Sequence, residues 1–322
     1  STGAAITPAM EKLMSELQDI DSKLAAGGKT ERLQASRADV IEKLVSASAT
    51  PEDRKTWIRQ FADTVSAATQ SGEFDGGVSR LREFSRTLAK LKAAKGEVAY
   101  VTFRTITADY NLKMQQPKAK YEELQKAYLN SLISFVRSYP SSEDAAEAMI
   151  QIALSAEFSG EVKTAKSWYQ KAGQSFAETL AGRKARGALK RLNLEGQSFR
   201  LTAGTLDGRQ FDSSSYRGGP VVYHSWASWC DGCKAEMRAL KELRAKYAKH
   251  NLRIVGLTFD TTADIGNGFL KQNSFPWVHL FEEGGLDGDL AVNLGILTLP
   301  VNFVVDQNGK VVTTGVHWTE LD

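Results

Sequence analysis

The sequence predicts an α+β multidomain chain, in which an all-α N-terminal region precedes an α/β domain. Three observations predict it. Charge and composition change near residue 195: residues 1–195 carry 29 Lys+Arg against 24 Asp+Glu, and residues 196–322 carry 12 against 14. The first part is rich in the helix formers Ala, Leu, Glu, Lys and Gln. The second holds most of the Val-rich runs and Gly-rich turns, which suit strands. The 322 residues suggest more than one domain. With 42% hydrophobic and 25% charged residues, the composition excludes wholesale disorder and collagen. No apolar run approaches the ~20 residues of a membrane span. A net charge of +3 gives no reason to expect nucleic-acid binding, and two cysteines cannot staple a disulfide-rich scaffold.

The expected domains are a helical hairpin or bundle over 1–117, a second helical region over 118–195 and the α/β domain over 196–322. Ile6, Met10, Leu13, Leu17, Ile20 and Leu24 step by four and three, an apolar seam that Gly27-Gly28 ends. Leu33, Val40, Ile41 and Leu44 line a second helix. The pair reads as an intramolecular hairpin; a coiled-coil dimer is the alternative and normally needs a longer seam. Thr50-Pro51-Glu52-Asp53 opens a third helix, with proline at its first position and acids in its first turn.

In 118–195, Ala165, Tyr169 and Ala172 have the A-x3-F-x2-A spacing of a tetratricopeptide second helix, with Gly160 in the preceding turn. The segment resembles one or two degenerate TPR-like units. The cluster Arg183, Lys184, Arg186, Lys190, Arg191 reads as a solvated face near a helix C-terminus, where cations are favoured. A docking site for an acidic partner is its alternative.

The strongest signal lies in 221–249. Val221–Trp226 is a candidate buried strand, Trp229-Cys230-Asp231-Gly232-Cys233 follows, and Met237, Leu240, Leu243 and Tyr247 give the next helix its apolar face. The C-x-x-C therefore sits at a strand-to-helix junction with Cys230 at the helix N-terminus. Thiol–disulfide exchange needs a thiolate, and the free N–H groups and positive dipole end of a helix stabilise one. Cys230 is the expected attacking thiol and Cys233 the resolving one. Half of a zinc site is the rival reading, but zinc needs four ligands. There is no third cysteine, and His224, His250, His279 and His317 are scattered.

On these residues, 196–322 resembles a thioredoxin fold of the TlpA/ResA type, which is AhpC/TSA-related. Gly219-Pro220-Val221-Val222, Ser225-Trp226-Ala227-Ser228-Trp229-Cys230 and Cys233-Lys234-Ala235-Glu236-Met237 follow its run through the cysteines. Phe199…Phe211 resembles its N-terminal hairpin. Leu252–Phe259 reads as its central strand and Asp260 onward as its insertion. Thr298-Leu299-Pro300 with Phe303…Lys310 resembles its cis-proline loop and final hairpin. The resemblance implies that Pro300 is cis and faces the disulfide, and that the Leu299 backbone pairs with a bound peptide. It implies that Glu236 exchanges protons with the resolving thiol and that Trp229 shields the disulfide and contacts substrate. His224 falls where thioredoxin has a buried aspartate; it reads either as a proton relay beneath Cys233 or as a hydrogen-bonded core histidine.

The sequence also departs from the family. Asp231-Gly232 replaces the commoner Gly-Pro, and the charge of Asp231 opposes the helix dipole, which predicts a more reducing pair. Val301-Asn302 replaces the usual threonines. Trp318-Thr319-Glu320-Leu321 reads as the start of a final helix cut short.

The expected activity is thiol–disulfide exchange with protein disulfides, as a reductase fed by an upstream electron donor. The redox-active disulfide Cys230–Cys233 is the only redox group invoked, with no other cofactor and no metal. The helical region is expected to recruit a protein partner, with no nucleic acid and no membrane span involved. A non-catalytic helical scaffold is the alternative. A thiol peroxidase is a further one, which needs a hydroxyl where this chain has Ala227. The chain opens on Ser1 without methionine, so processing is expected, with a removed signal and a place outside the cytoplasm, the bacterial periplasm.

Overall fold

The computed structural model describes residues 7–28, 30–316 and 319. Ile6 of the first seam, and His317, Trp318, Glu320 and Leu321, lie outside the described residues. The chain packs as two compact units, Ser1–Ile152 and Ala153–Asp322.

The first unit is helical: α1 (Pro8–Ala25), α2 (Thr30–Ala47), α3 (Pro51–Gln70), α4 (Gly77–Lys90), α5 (Lys95–Met114), α6 (Tyr121–Ser138) and most of α7 (Glu143–Phe158). Local chemistry sets its starts. The Thr7 and Thr50 side chains accept hydrogen bonds from Met10 N and Asp53 N at 3.3 and 3.1 Å, and Pro8 and Pro51 open the helices behind them. Each such cap is worth about 1 kcal/mol. Met10, Leu17 and Ile20 of α1 join Val40, Ile41 and Leu44 of α2 in one core, so the expected hairpin forms. Phe61 of α3 stacks on Phe84 of α4 with ring centroids 3.9 Å apart. The helices approach closely at Gly77, where a Cβ would fall 1.9 Å from Thr69 Oγ1.

In the second unit α8 (Val162–Ser175) and α9 (Leu180–Arg191) precede β1 (Thr202–Gly204), β2 (Gln210–Asp212), β3 (Val221–Trp226), α10 (Asp231–Lys246), β4 (Arg253–Thr258), α11 (Ala263–Gln272), β5 (Val278–Phe281), α12 (Asp289–Leu294), β6 (Asn302–Val305) and β7 (Val311–Thr314). β1 and β2 form the expected antiparallel hairpin. The other strands make one sheet in the order β5-β4-β3-β6-β7, parallel across β3–β4–β5 and antiparallel across β3–β6–β7. This is a thioredoxin-like fold. The central strand is β3, not the 252–259 segment; β4 lies one place out, because β6 claims the other edge of β3.

Alternation along β3 divides its side chains. Val221 and Tyr223 enter the core that holds Leu290, Ala291 and Leu294 of α12. Val222 and Trp226 join Leu240, and Cys233 with Met237, of α10. His224 shares their parity and so faces α10.

Packing divides the chain at 152/153, whereas the sequence reading divides it at 195/196 by composition and at 117/118 by the TPR-like spacing. The difference arises because α9 lies backbone-to-backbone on α12. A Cβ on Gly187 would fall 1.9 Å from Val292 O, and one on Gly295, whose φ is +69°, 2.3 Å from Gly187 O. Ala165, Tyr169 and Ala172 are all fully buried on α8. The basic cluster is solvated in part: Arg183, Arg186 and Lys190 are exposed, Lys184 is half-buried and only Arg191 is buried. Lys184 pairs with Asp287, Arg183 with Asp289 at 3.6 Å, and Arg186 Nη1 donates to Gly173 O at 3.0 Å. Arg191 is buried; it donates to Gly295 O at 2.9 Å and meets the Glu157 carboxylate at 2.7 Å. Only Arg191 is drawn inward, by Gly295 O and a carboxylate from α7; Asp287 and Asp289 meet Lys184 and Arg183 at the surface.

Candidate active site

β3 ends at Trp226, a short loop carries Ala227, Ser228 and Trp229, and α10 starts on Asp231 with Cys230 as its N-cap. The cap is the sulfur itself, since Cys233 N donates to Cys230 Sγ at 3.1 Å. Cys230 and Cys233 are joined as a disulfide. Cys230 is 8% exposed and Cys233 fully buried, while the Trp229 indole beside them is 59% exposed. A backbone donor aimed at Cys230 favours a thiolate there once the bond opens. Asp231 stands in solvent at N1 and pairs with Lys234 at 2.8 Å, which pulls its carboxyl below the ordinary range. Its charge is thus partly met by a neighbour that the sequence reading did not weigh.

The Leu299–Pro300 peptide is cis. Pro300 packs over the turn between the cysteines: a Cβ on Gly232 would lie 3.9 Å from Pro300 Cδ. Leu299 packs against the cluster that contains both cysteines. Ser225 of β3 anchors the loop, its hydroxyl donating to Val301 O at 2.8 Å and accepting from Val301 N at 2.5 Å. Among the described residues no hydrogen bond engages the Leu299 backbone. Its peptide groups are therefore available to an extended chain laid across the disulfide.

Beneath Cys233 lies a buried polar cluster. His224, Glu236 and Asn302 are at most 2% exposed. His224 and Asn302 are directly opposed in the β3–β6 register. The His224 Nδ1 and Asn302 Oδ1 atoms are 2.8 Å apart; Asn302 Nδ2 donates to Glu236 Oε2 and to Val316 O, both at 2.9 Å. Glu236 Oε2 is also 3.5 Å from His224 Nδ1. Burial pushes the imidazole below its ordinary value, while Asn302, the Glu236 carboxylate and the Cys233 backbone act in the opposite direction.

Two further buried groups flank the site. Asp260, at the end of β4, accepts from Ser228 N at 3.0 Å, from Ser228 Oγ at 2.7 Å and from Thr258 Oγ1 at 3.1 Å, and so fixes the loop that carries Trp229 and Cys230. His279 of β5 packs on Gly256, edge-on to Trp226, with neither ring nitrogen hydrogen-bonded. Burial, and secondarily the nearby His224, lower it to about 4.

The structure thus brings Cys230, Cys233, Glu236, Pro300, Leu299, Trp229 and His224 to one place. Glu236 is buried, because its position on α10 turns it toward His224 of β3. Sequence reasoning missed Asn302 and Asp260 as members. The signal for Asn302 was partial: an amide stands where the family has a threonine, but only the β3–β6 register sets it opposite His224. Asp260 was visible only as the start of an insertion. Among the described residues no group of three His, Cys, Asp or Glu side chains is placed to hold a metal ion.

Residues 194–314 match the family model described as the AhpC/TSA family. Among curated proteins, the thiol-disulfide oxidoreductase ResA of Bacillus thuringiensis subsp. konkukian is 29% identical over 118 residues, covering 37% of this chain and 65% of the relative. The thiol:disulfide interchange protein DsbE of Vibrio cholerae is 32% identical over 114 residues, covering 35% of this chain and 58% of the relative. The chain thus spans less than two thirds of the length of these relatives. A solved thiol-disulfide oxidoreductase from Bacteroides fragilis is 24% identical, with a TM-score of 0.35, over 37% of this chain and 90% of that one.

Proposed function

We propose that this protein is a thiol–disulfide oxidoreductase that exchanges the Cys230–Cys233 dithiol with protein disulfides, acting as a reductase. The observation that carries the reading is the disulfide at the N-terminus of α10, with Cys230 capping the helix and cis-Pro300 packed over the intervening turn. Cys230 attacks, because it is the outer sulfur and receives the N–H of Cys233. Cys233 resolves from the buried side. Trp229 and the Leu299 backbone receive the substrate chain, and His224 with Glu236 handles the proton of Cys233. The disulfide is the redox group, and the reading invokes no bound cofactor. ResA and DsbE relatives support the exchange chemistry. Ala227, a buried methyl side chain three residues before Cys230, offers no hydroxyl to hold a peroxide, which supports exchange over peroxidase chemistry.

The reading places the protein outside the cytoplasm, where disulfide substrates persist and a reductase needs a dedicated electron donor. Among the described residues no helix is long and apolar enough to cross a membrane. Recruitment of a protein partner is assigned to the helical unit. A groove of about 580 Å³ there runs along α5 between α4 and α6, lined by residues including Arg82, Arg86, Ile106, Tyr110 and Tyr128, and supports that role.

The test is the reduction potential of the pair, read by alkylation after equilibration in dithiothreitol or glutathione buffers. A value toward about −270 mV is expected; one toward about −120 mV would make the protein an oxidant of folding chains. Absence of any reversible titration would favour the scaffold role.

A further inference from the structure

We propose that Arg191 is a positioning residue for substrate capture: from α9 it holds one end of the segment 295–301, whose middle offers the Leu299 backbone to an extended chain laid across the disulfide. This assignment deepens the exchange reading and rests on it. The segment is fastened at two points. At its far end the Ser225 hydroxyl donates to Val301 O at 2.8 Å and accepts from Val301 N. At its near end Arg191 Nε donates to Gly295 O at 2.9 Å. Among the described residues no hydrogen bond engages the backbone of Leu297, Thr298 or Leu299 between them. The three residues that precede cis-Pro300 are therefore aimed by their two anchors.

Gly295 caps α12 with φ at +69°; its own N–H returns to Val292 O at 3.2 Å, and Ile296 N returns to Ala291 O at 2.9 Å. Those bonds close the helix, and among the described residues no backbone N–H takes Gly295 O. Arg191 takes it and so orients the Gly295–Ile296 peptide, from which fully buried Ile296 carries the chain on toward Pro300. The donor is itself held. Arg191 is buried, and its guanidinium keeps its charge at any working pH. Arg191 Nη2 lies 2.7 and 2.9 Å from the two Glu157 carboxylate oxygens, and fully buried Tyr169 donates to Glu157 Oε2 at 3.0 Å. The donors of a guanidinium form one planar fork, so fixing Nη2 against Glu157 also fixes the direction of Nε–H.

The ion pair of Arg191 with Glu157 by itself would only join α9 to α7. It is the third bond, to a carbonyl four residues before Leu299, that reaches the site. Bare backbone at Gly187 and Gly295 lets α9 come close enough to make it, since a Cβ on Gly295 would fall 2.3 Å from Gly187 O. Glu157, Tyr169 and Arg191 belong to α7, α8 and α9, so three helices that carry no sulfur chemistry converge on the segment that receives substrate.

Two probes with the same leaving group test it. In one, thionitrobenzoate is disulfide-linked to the central cysteine of a short uncharged peptide; in the other, it is linked to N-acetylcysteine amide. Attack of the Cys230 thiolate on the cysteine sulfur of either probe releases one coloured thiolate, so the ratio of the two rate constants reads what the flanking chain contributes. The reduced wild-type protein is expected to prefer the peptide about tenfold. Arg191→Met combined with Glu157→Gln removes the donor without stranding a buried carboxylate. It should bring the ratio to about twofold or less while leaving the rate with N-acetylcysteine amide within about twofold of wild type. Equal slowing with both probes, or an unchanged ratio in the folded variant, would show that Arg191 only stabilises its unit and overturns the assignment. A wild-type protein with no preference for the peptide overturns it too. Hydrogen exchange at the wild-type Arg191 Nε–H, followed by nitrogen NMR, needs no variant: strong protection is expected, and exchange as fast as in an exposed arginine overturns the assignment. If the reduced protein attacks neither probe, the exchange reading fails instead, and the Nε–H measurement still decides whether Arg191 holds the segment.

Discussion

Among the described residues, the polar side chains buried in the helical unit are Gln34, Ser48, Ser66 and Thr69, whereas those of the second unit include Arg191, His224, Glu236, Asp260 and His279. The first set carries no charge, and its hydroxyls find partners within one turn: Ser48 and Thr69 each donate to the carbonyl four residues back at 2.7 Å. No charged residue of that unit is fully buried among the described residues, and the most enclosed are paired, as in Arg80 with Asp39 and Glu42 and Arg104 with Asp144. Of the second set, Arg191, His224, Glu236 and Asp260 are met by partners from distant segments, whereas the His279 ring is buried with neither nitrogen hydrogen-bonded. Burying a charge or an unpaired polar group costs several kcal/mol unless it is met. One unit has avoided that cost, and the other has accepted it around a disulfide. The contrast locates the chemistry independently of any motif.

The largest expected effect breaks the contrast at its centre. Cys230→Ser should abolish disulfide exchange, while Cys233→Ser should accumulate a mixed disulfide with substrate, read by mass spectrometry; turnover in either variant would mean that the pair is not the redox centre. Next, both units should tolerate core damage poorly, for different reasons. Phe61→Ala removes a stacked ring from a fully buried site and should cost about 3–5 kcal/mol in denaturant unfolding. Arg191→Ala should cost about 3 kcal/mol, by leaving Glu157 and Gly295 O without their donor. Only the second loss should shrink when Glu157→Gln is added.

A smaller effect separates the units by pH. His279 is held at about 4 in the folded chain against about 6.5 unfolded. The unfolded chain therefore binds the proton more readily. The stability that follows is fully present above about pH 6.5 and is lost as pH falls toward 4. Between pH 7 and pH 4.5 the wild-type protein should lose about 2–3 kcal/mol from this group, and His279→Phe should remove that slope. A slope unchanged in His279→Phe would assign the acid sensitivity elsewhere. Smallest is the effect at the solvent-facing end of the site. Asp231→Asn removes an exposed charge near the Cys230 thiolate and should make the pair slightly more oxidising, by less than about 30 mV in glutathione equilibrium. A shift toward more reducing values would reverse the sign given to Asp231.

Much of this molecule is written locally. Thr50-Pro51 starts α3, the seam from Met10 to Leu24 makes α1, and Cys230 caps α10 in a strand–loop–helix segment of about two dozen residues. Periodicity, caps and the C-x-x-C spacing act over one or two turns of chain, so one sequence suffices to read them. What the sequence left open is what two distant segments do when they meet. His224, Glu236 and Asn302 become one cluster only because β6 pairs with β3 and α10 lies on the same face. His224 therefore stood as either a relay or a core histidine, and Asn302 as no more than an unusual residue after Pro300. The reading of Arg183–Arg191 as a solvated face holds for Arg183, Arg186 and Lys190 and fails at Arg191 for the same reason, since its partner Gly295 O is 104 residues away in the chain. Sequence determined which residues carry sulfur chemistry and which helices form. Tertiary structure alone decided which buried polar groups meet, because desolvation makes their pairing obligatory and only the packed fold chooses the partner.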